Sequence, residues 1–92
     1  MRIVTLKCDE EAEEHIWTRH HVAVVEIEQA AHNHALIVRG RGRGLYEVYG
    51  RTDAGRLLMI AVRCLSQGAA KVITAREMSG AERRRFRKRT AH

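Results

Sequence analysis

Basic side chains are the main chemical resource of this chain, and they gather where secondary structure should end. Arg83-Arg84-Arg85-Phe86-Arg87-Lys88-Arg89 holds six basic residues in seven positions around one aromatic ring. A charged helix end is often just solvated, but this density exceeds what solubility needs. It suits a polyanion or an acidic protein segment, and the residue types do not choose between them. Arg51 falls at the end of one strand-like run and Arg76 just after another. A guanidinium in such a place offers fixed charge and a fork of donors to a phosphate. It can equally pair with Glu26, Glu28 or Glu77 to fix helix on sheet. Arg63, mid-run, falls on either face, and Tyr46 and Tyr49 can pack in a core or stack a base.

Other constellations are weaker. Six His and two Cys raise the question of zinc, yet no H-x-x-x-H or C-x-x-C spacing is present. His15 and His20 lie five apart, off a common helical face, so no metal site is expected. Cys8 and Cys64 read as small apolar residues in a reducing compartment, and no nucleophile motif surrounds them. Gly40-Arg41-Gly42-Arg43-Gly44 does not open a G-x-G-x-x-G, and no helix follows it. It reads as a charged hairpin loop, with phosphate contact by Arg41 or Arg43 as the lesser alternative.

The elements that must position these groups follow from turns and caps. Ninety-two residues, 45% of them apolar, make one modest domain with a core. Lys and Arg number 17 against 11 acids, for a net charge of +6 and a pI near 10.2. The longest apolar stretch, Leu57–Val62, is too short to span a bilayer, and no signal peptide is evident.

Ile3-Val4-Thr5-Leu6 reads as a short strand. Asp9 is a good N-cap, followed by Glu10, Glu11, Glu13 and Glu14 where acids suit the helix dipole. Ala12, Ile16 and Trp17 are the apolar positions of that helix, which should end near Arg19 or His20. A second helix is expected from about Val22 to His32, with Val24, Ile27 and Ala31 facing the core. Its β-branched residues fit a strand equally well.

Ala35–Val38 reads as a strand. Leu45–Arg51 and Leu57–Leu65 flank a turn at Thr52-Asp53-Ala54-Gly55, and Ala69–Ala75 follows Ser66-Gln67-Gly68. Ser79-Gly80-Ala81-Glu82 carries the Ser-x-x-Glu signature of a helix start. The order β-α-α-β-β-β-β-α predicts an α+β fold with N-terminal helices packed on an antiparallel meander and a basic C-terminal helix.

In sequence order, five segments together resemble the BrnT family. They are Asp9-Glu10, Arg19-His20-His21-Val22, Gly50-Arg51-Thr52-x-x-Gly55-Arg56, Ile73-Thr74-Ala75-Arg76 and Glu82-Arg83-Arg84-Arg85-Phe86. The resemblance covers nearly the whole chain and is weakest between Asn33 and Gly44. Three positions depart from the pattern: Cys8 stands where the family usually has Trp, His21 where it has Gly, and Ile16 where it has Asn.

The resemblance implies a RelE-like fold over residues 1–92. It also implies a bacterial, cytoplasmic, metal-independent endoribonuclease that slows translation as the toxin of a type II toxin–antitoxin system. No cofactor is implied. The implied partners are RNA and a BrnA-like antitoxin that neutralises the toxin and carries it to operator DNA. RNA cleavage without metal uses the 2′-OH as nucleophile. It needs a proton shuttle and charge on the phosphorane.

His20, in the matched Arg-His-x-Val segment, is the implied acid–base group; as architecture it would be a helix cap. Arg51 and Arg76 are the candidate phosphate clamps. Arg83, Arg84, Arg87 and Lys88 are the candidate nucleic-acid contacts. The reading from a different class is a non-catalytic nucleic-acid- or antitoxin-binding module of the same fold.

Overall fold

A computed structural model describes residues 3–66 and 68–90. The chain runs β1 (Thr5–Lys7), α1 (Glu10–His20), α2 (Val24–His32), β2 (Leu36–Arg39), β3 (Leu45–Arg51), β4 (Leu57–Ser66), β5 (Ala69–Glu77) and α3 (Gly80–Thr90). This is the expected α+β order. Gln67, in the expected turn before β5, lies outside the described residues.

The local reasons are visible at each boundary. Asp9 caps α1 by accepting the Ala12 N–H at 2.8 Å. His21 ends the helix in the left-handed region (φ 52°), with its N–H on the Trp17 carbonyl at 2.9 Å. That conformation costs a side-chain-bearing residue about 1 kcal/mol, which is why glycine is the usual occupant. Ala23 has no side-chain oxygen with which to cap α2, so only the reciprocal bond forms: Glu26 accepts the Ala23 N–H at 3.0 Å. Ser79 and Glu82 make the full capping box of α3. The Glu82 N–H meets Ser79 Oγ at 3.2 Å and the Ser79 N–H meets Glu82 Oε1 at 2.8 Å. In the β3–β4 turn, Gly55 takes φ 94° and buried Thr52 accepts the Arg56 N–H at 2.9 Å.

The sheet order is β1-β5-β4-β3-β2. Strands β2 to β5 form the expected antiparallel meander. The edge strand β1 pairs with β5 in parallel, Thr5 opposite Ala69, so the whole sheet is mixed. A parallel neighbour is possible because the chain crosses the sheet face through α1 and α2 before returning. Strand β5 also runs two residues further than expected, so Arg76 lies inside the strand and its direction is set by the pleat.

That pleat sorts the side chains into two layers. On one face Ile16 of α1 and Ile27 and Ala30 of α2 pack on Val48, Leu58 and Ile60. The two isoleucines, Leu58 and Ile60 are at most 1% exposed, and each buried side chain of this size contributes about 1.5–3 kcal/mol. Helix α2 lies so close to β3 that a Cβ on Gly50 would run into the Ala30 carbonyl. This close packing settles the ambiguity of Val22–Ile27: Ile27, Ala30 and Ala31 bury at helical spacing. Trp17, an expected core position, is 54% exposed and stacks edge-on with His21 instead. On the opposite face α3 lays Phe86 over Tyr49, Leu57, Met59 and Met78.

Candidate functional site

The register builds the α3 face in cross-strand rows. Tyr49, Met59 and Arg76 form one, and Glu47, Ala61 and Thr74 the next; beyond the β-bulge after Ala61, Arg63 and Lys71 line a recess with the start of α1. Ala61 is small, so the second row leaves room between Glu47 and Thr74. Tyr49 is 3% exposed, and its phenol donates to Glu47 Oε1 at 2.7 Å. Burial first, and then the hydrogen bond and charge of Glu47, push the Tyr49 hydroxyl up to about 12. The phenol therefore keeps its proton at neutral pH and serves as a donor. The Arg85 guanidinium lies over the Tyr49 ring, 5.8 Å from its centroid.

Arg76 and Glu82 close the other end of this cluster. The guanidinium forks onto the carboxylate at 2.7 and 3.0 Å and donates to the Glu77 carbonyl at 3.1 Å. The Arg76 bond, opposed by burial and helped by Ser79, lowers the Glu82 carboxyl from 4.5 to about 2. The Glu82 hydrogen bond raises Arg76 against the cost of burial, and the charge of Glu47 adds a smaller push in the same direction.

A pH dependence follows. Glu82 binds its proton less readily folded than unfolded, so its contribution is complete above about pH 4.5 and is lost as pH falls toward 2. Arg76 is 38% exposed, so screening reduces the gain to on the order of 2 kcal/mol. Urea unfolding at pH 6, 4 and 3 should show this loss, and Glu82→Gln should flatten it.

Helix α3 crosses the sheet and divides its face. With Phe86 inward, Glu82, Arg85 and Arg89 project from one flank at helical spacing, and Arg83, Arg87 and Thr90 from the other. The first flank borders a groove of about 310 Å³ against Leu36, Val38 and Arg39. The other borders a groove where Arg51 lies with Asn33, His34 and Thr90. A larger recess of about 530 Å³ lies at the start of α1, with a wall of mixed charge: Asp9, Glu11, His15, Arg63 and Lys71, of which Asp9 and Lys71 pair at 3.3 Å.

The sequence-predicted residues are therefore only partly gathered. Arg51 and Arg76 share the α3 face, two strands apart: Arg51 lies in the groove beside Thr90, and Arg76 is forked onto Glu82, which lines the Tyr49 groove. His20 ends α1, which packs on the opposite face, and its carbonyl accepts from Arg56 Nη2 at 3.4 Å. The partner of Arg76 is Glu82, and not Glu26, Glu28 or Glu77, the acids weighed as structural partners from the sequence. Glu26 and Glu77 pair with Arg56 instead, at 3.1 and 3.2 Å, while Arg56 also holds the His21 carbonyl at 2.8 Å. Arg56 thus pins both N-terminal helices to the sheet end.

Arg83 pairs with Glu77 at 3.6 Å, and Arg84 and Lys88 point away from the sheet. Sequence reasoning passed over Glu47 and Arg39; Arg85 and Arg89 lay in the basic run it singled out but were not among its four named contacts. For α3 the signal was present: a helix with one inward aromatic at 86 must flank it with 85 and 89.

No family model matches the chain, and no curated protein sequence matches it. Among solved structures, the 1.1 Å crystal structure of the Brucella abortus ribonuclease toxin BrnT superposes with a TM-score of 0.67. The match covers 83% of this chain and 97% of that one at 14% sequence identity. The chain has the BrnT fold. The α+β architecture implied by the sequence resemblance to BrnT is thus met in three dimensions. The Glu47–Tyr49–Arg76–Glu82 cluster occupies the α3 face of that BrnT-like sheet. Among the described residues, no helix is long and apolar enough to cross a membrane.

Proposed function

We propose that residues 1–92 act as a BrnT-like toxin domain, a metal-independent endoribonuclease of the bacterial cytoplasm. In this reading it cleaves RNA, slows translation, and is neutralised by a BrnA-like antitoxin that carries the pair to operator DNA. The observation that carries the reading is the Glu47–Tyr49–Arg76 cluster beside a basic groove. It combines a carboxylate acceptor, a protonated phenol and fixed positive charge, which are the three services that 2′-OH attack requires.

The proposed steps balance. Glu47 takes the proton of the 2′-OH, whose oxygen attacks the adjacent phosphorus. The bond from phosphorus to the 5′-oxygen breaks, and the leaving oxygen takes the Tyr49 proton. Glu47 then returns a proton to Tyr49 through their hydrogen bond. Arg76 offsets charge on the phosphorane. Arg51, on the other flank of α3, is proposed as a contact to a neighbouring phosphate.

The test is cleavage of a defined single-stranded RNA by the purified chain in EDTA. Cleavage should persist and leave a 2′,3′-cyclic phosphate or 3′-phosphate end. A 5′-phosphate product, or activity abolished by EDTA, would refute the mechanism. Intact RNA under all conditions would leave the binding-module reading in its place.

A further inference from the structure

The groove on the Arg85 flank of α3 has more positive charge than the cleavage chemistry uses. Arg39, Arg85 and Arg89 border it, and none of the three forms an ion pair among the described residues. The two carboxylates that line the same groove are already engaged, Glu82 by Arg76 and Glu47 by the Tyr49 phenol. The floor is apolar, made by Leu36, Val38 and Phe86. Its volume of about 310 Å³ is at the small end for ligand clefts.

At Arg39 this groove meets a second recess of about 490 Å³ that runs along Gly40, Gly42 and Arg43 of the β2–β3 loop. The two share Arg39, at the end of edge strand β2, and meet around the sheet edge there, with arginines on their rims and an apolar patch in the first. A flat base can lie on that patch only if it is unpaired, whereas the rim can hold phosphates at any sequence.

We infer that Arg39, Arg85 and Arg89 hold the phosphates of a single-stranded polynucleotide running from the Tyr49 groove across Arg39 to the β2–β3 loop. This inference rests on the ribonuclease reading and assigns the path of its substrate. It moves the nucleic-acid contact from Arg83, Arg84, Arg87 and Lys88 to the opposite flank of the same helix. It also brings in an arginine from β2 that is remote in sequence.

The experiment compares two triple variants that lose the same charge from different places. One is Arg39→Gln, Arg85→Gln and Arg89→Gln together. The other is Arg84→Gln, Arg87→Gln and Lys88→Gln together. Binding of a labelled, uncleavable 2′-O-methyl RNA is followed by fluorescence anisotropy from 50 to 200 mM salt. Thermal midpoints are measured alongside, and cleavage of unmodified RNA by the wild type is assayed in parallel.

Each single-strand phosphate contact contributes about 0.7 to the logarithmic salt slope. The groove variant should therefore have a slope shallower by about 2, while the outer variant stays near wild type. Equal flattening in both variants, or an unchanged slope in the groove variant, would overturn the inference. If the wild type still cleaves RNA in that case, the ribonuclease reading survives the loss. If the wild type neither binds nor cleaves, both fall, and an acidic protein segment becomes the occupant to pursue.

Discussion

Arg76→Ala is expected to slow RNA cleavage about a hundredfold, because one charged donor to the transition state is worth on the order of 3 kcal/mol. It should also lower the thermal midpoint. Glu82, with its side chain 14% exposed, would lose the guanidinium that forks onto it. The two effects separate through Glu82→Gln, which breaks the ion pair and leaves Arg76 in place. A melting loss like that of Arg76→Ala, with cleavage retained, assigns the charge of Arg76 to the reaction. A rate that falls in both variants in step with the midpoint makes Arg76 a strut for α3 and removes it from the mechanism. His20→Ala serves as the companion variant. His20 ends a helix on the far face of the sheet, so cleavage should stay near the wild-type rate. A loss like that of Arg76→Ala, in a protein of unchanged midpoint, would move the chemistry to the α1 side.

Gly50→Ala should have the largest effect on stability. The added Cβ would meet the backbone of Ala30, not a side chain that can swing away. Relief requires lifting α2 from β3, which would open the layer holding Ile27, Val48 and Ile60. A cost of about 3 kcal/mol or more is expected. For a chain of this size that lowers the melting midpoint by roughly 12 °C or more. Gly44→Ala is the comparison: unlike Gly50, Gly44 sits at positive φ, 75°, and it has no atoms near the built Cβ. It should cost only the local backbone strain. Near-wild-type melting of Gly50→Ala would show that α2 is not seated as described.

Elements with a local cause were legible in the sequence. Asp9, the turn ending in Gly55, and the Ser79–Glu82 box all act within a few residues, so the order and most boundaries followed. Strand β3 was placed at its observed ends, Leu45 and Arg51. Choices that depend on distant residues were not legible. Nothing near Thr5 announces that its neighbour in the sheet is Ala69. Arg76 had several acids to choose from, and Glu82 won because the α3 capping box brings its carboxylate back over β5. Trp17 looked like core because it is apolar and next to Ile16. One step along a helix turns the chain by about 100°, and that carries it to the surface. The basic run was noticed as composition, whereas its use depends on which flank of α3 each residue occupies.

The parallel pairing of β1 with β5 also bears on the order in which the chain can assemble. The β3–β4 hairpin closes over a short turn, so its hydrogen bonds can form as soon as those residues meet. The ladder of Thr5–Lys7 has to wait for Ala69–Lys71, which a ribosome delivers only after β2, β3 and β4. The ion pair of Lys71 with Asp9, at 3.3 Å, is subject to the same delay. Closing so long a loop costs more chain entropy than closing a hairpin, and topologies rich in such contacts fold more slowly. During translation the exposed edge of β5 does not yet exist, and β1 has no sheet to join. Strand β1 is therefore made before the other four and is the last of the five that the sheet can take in.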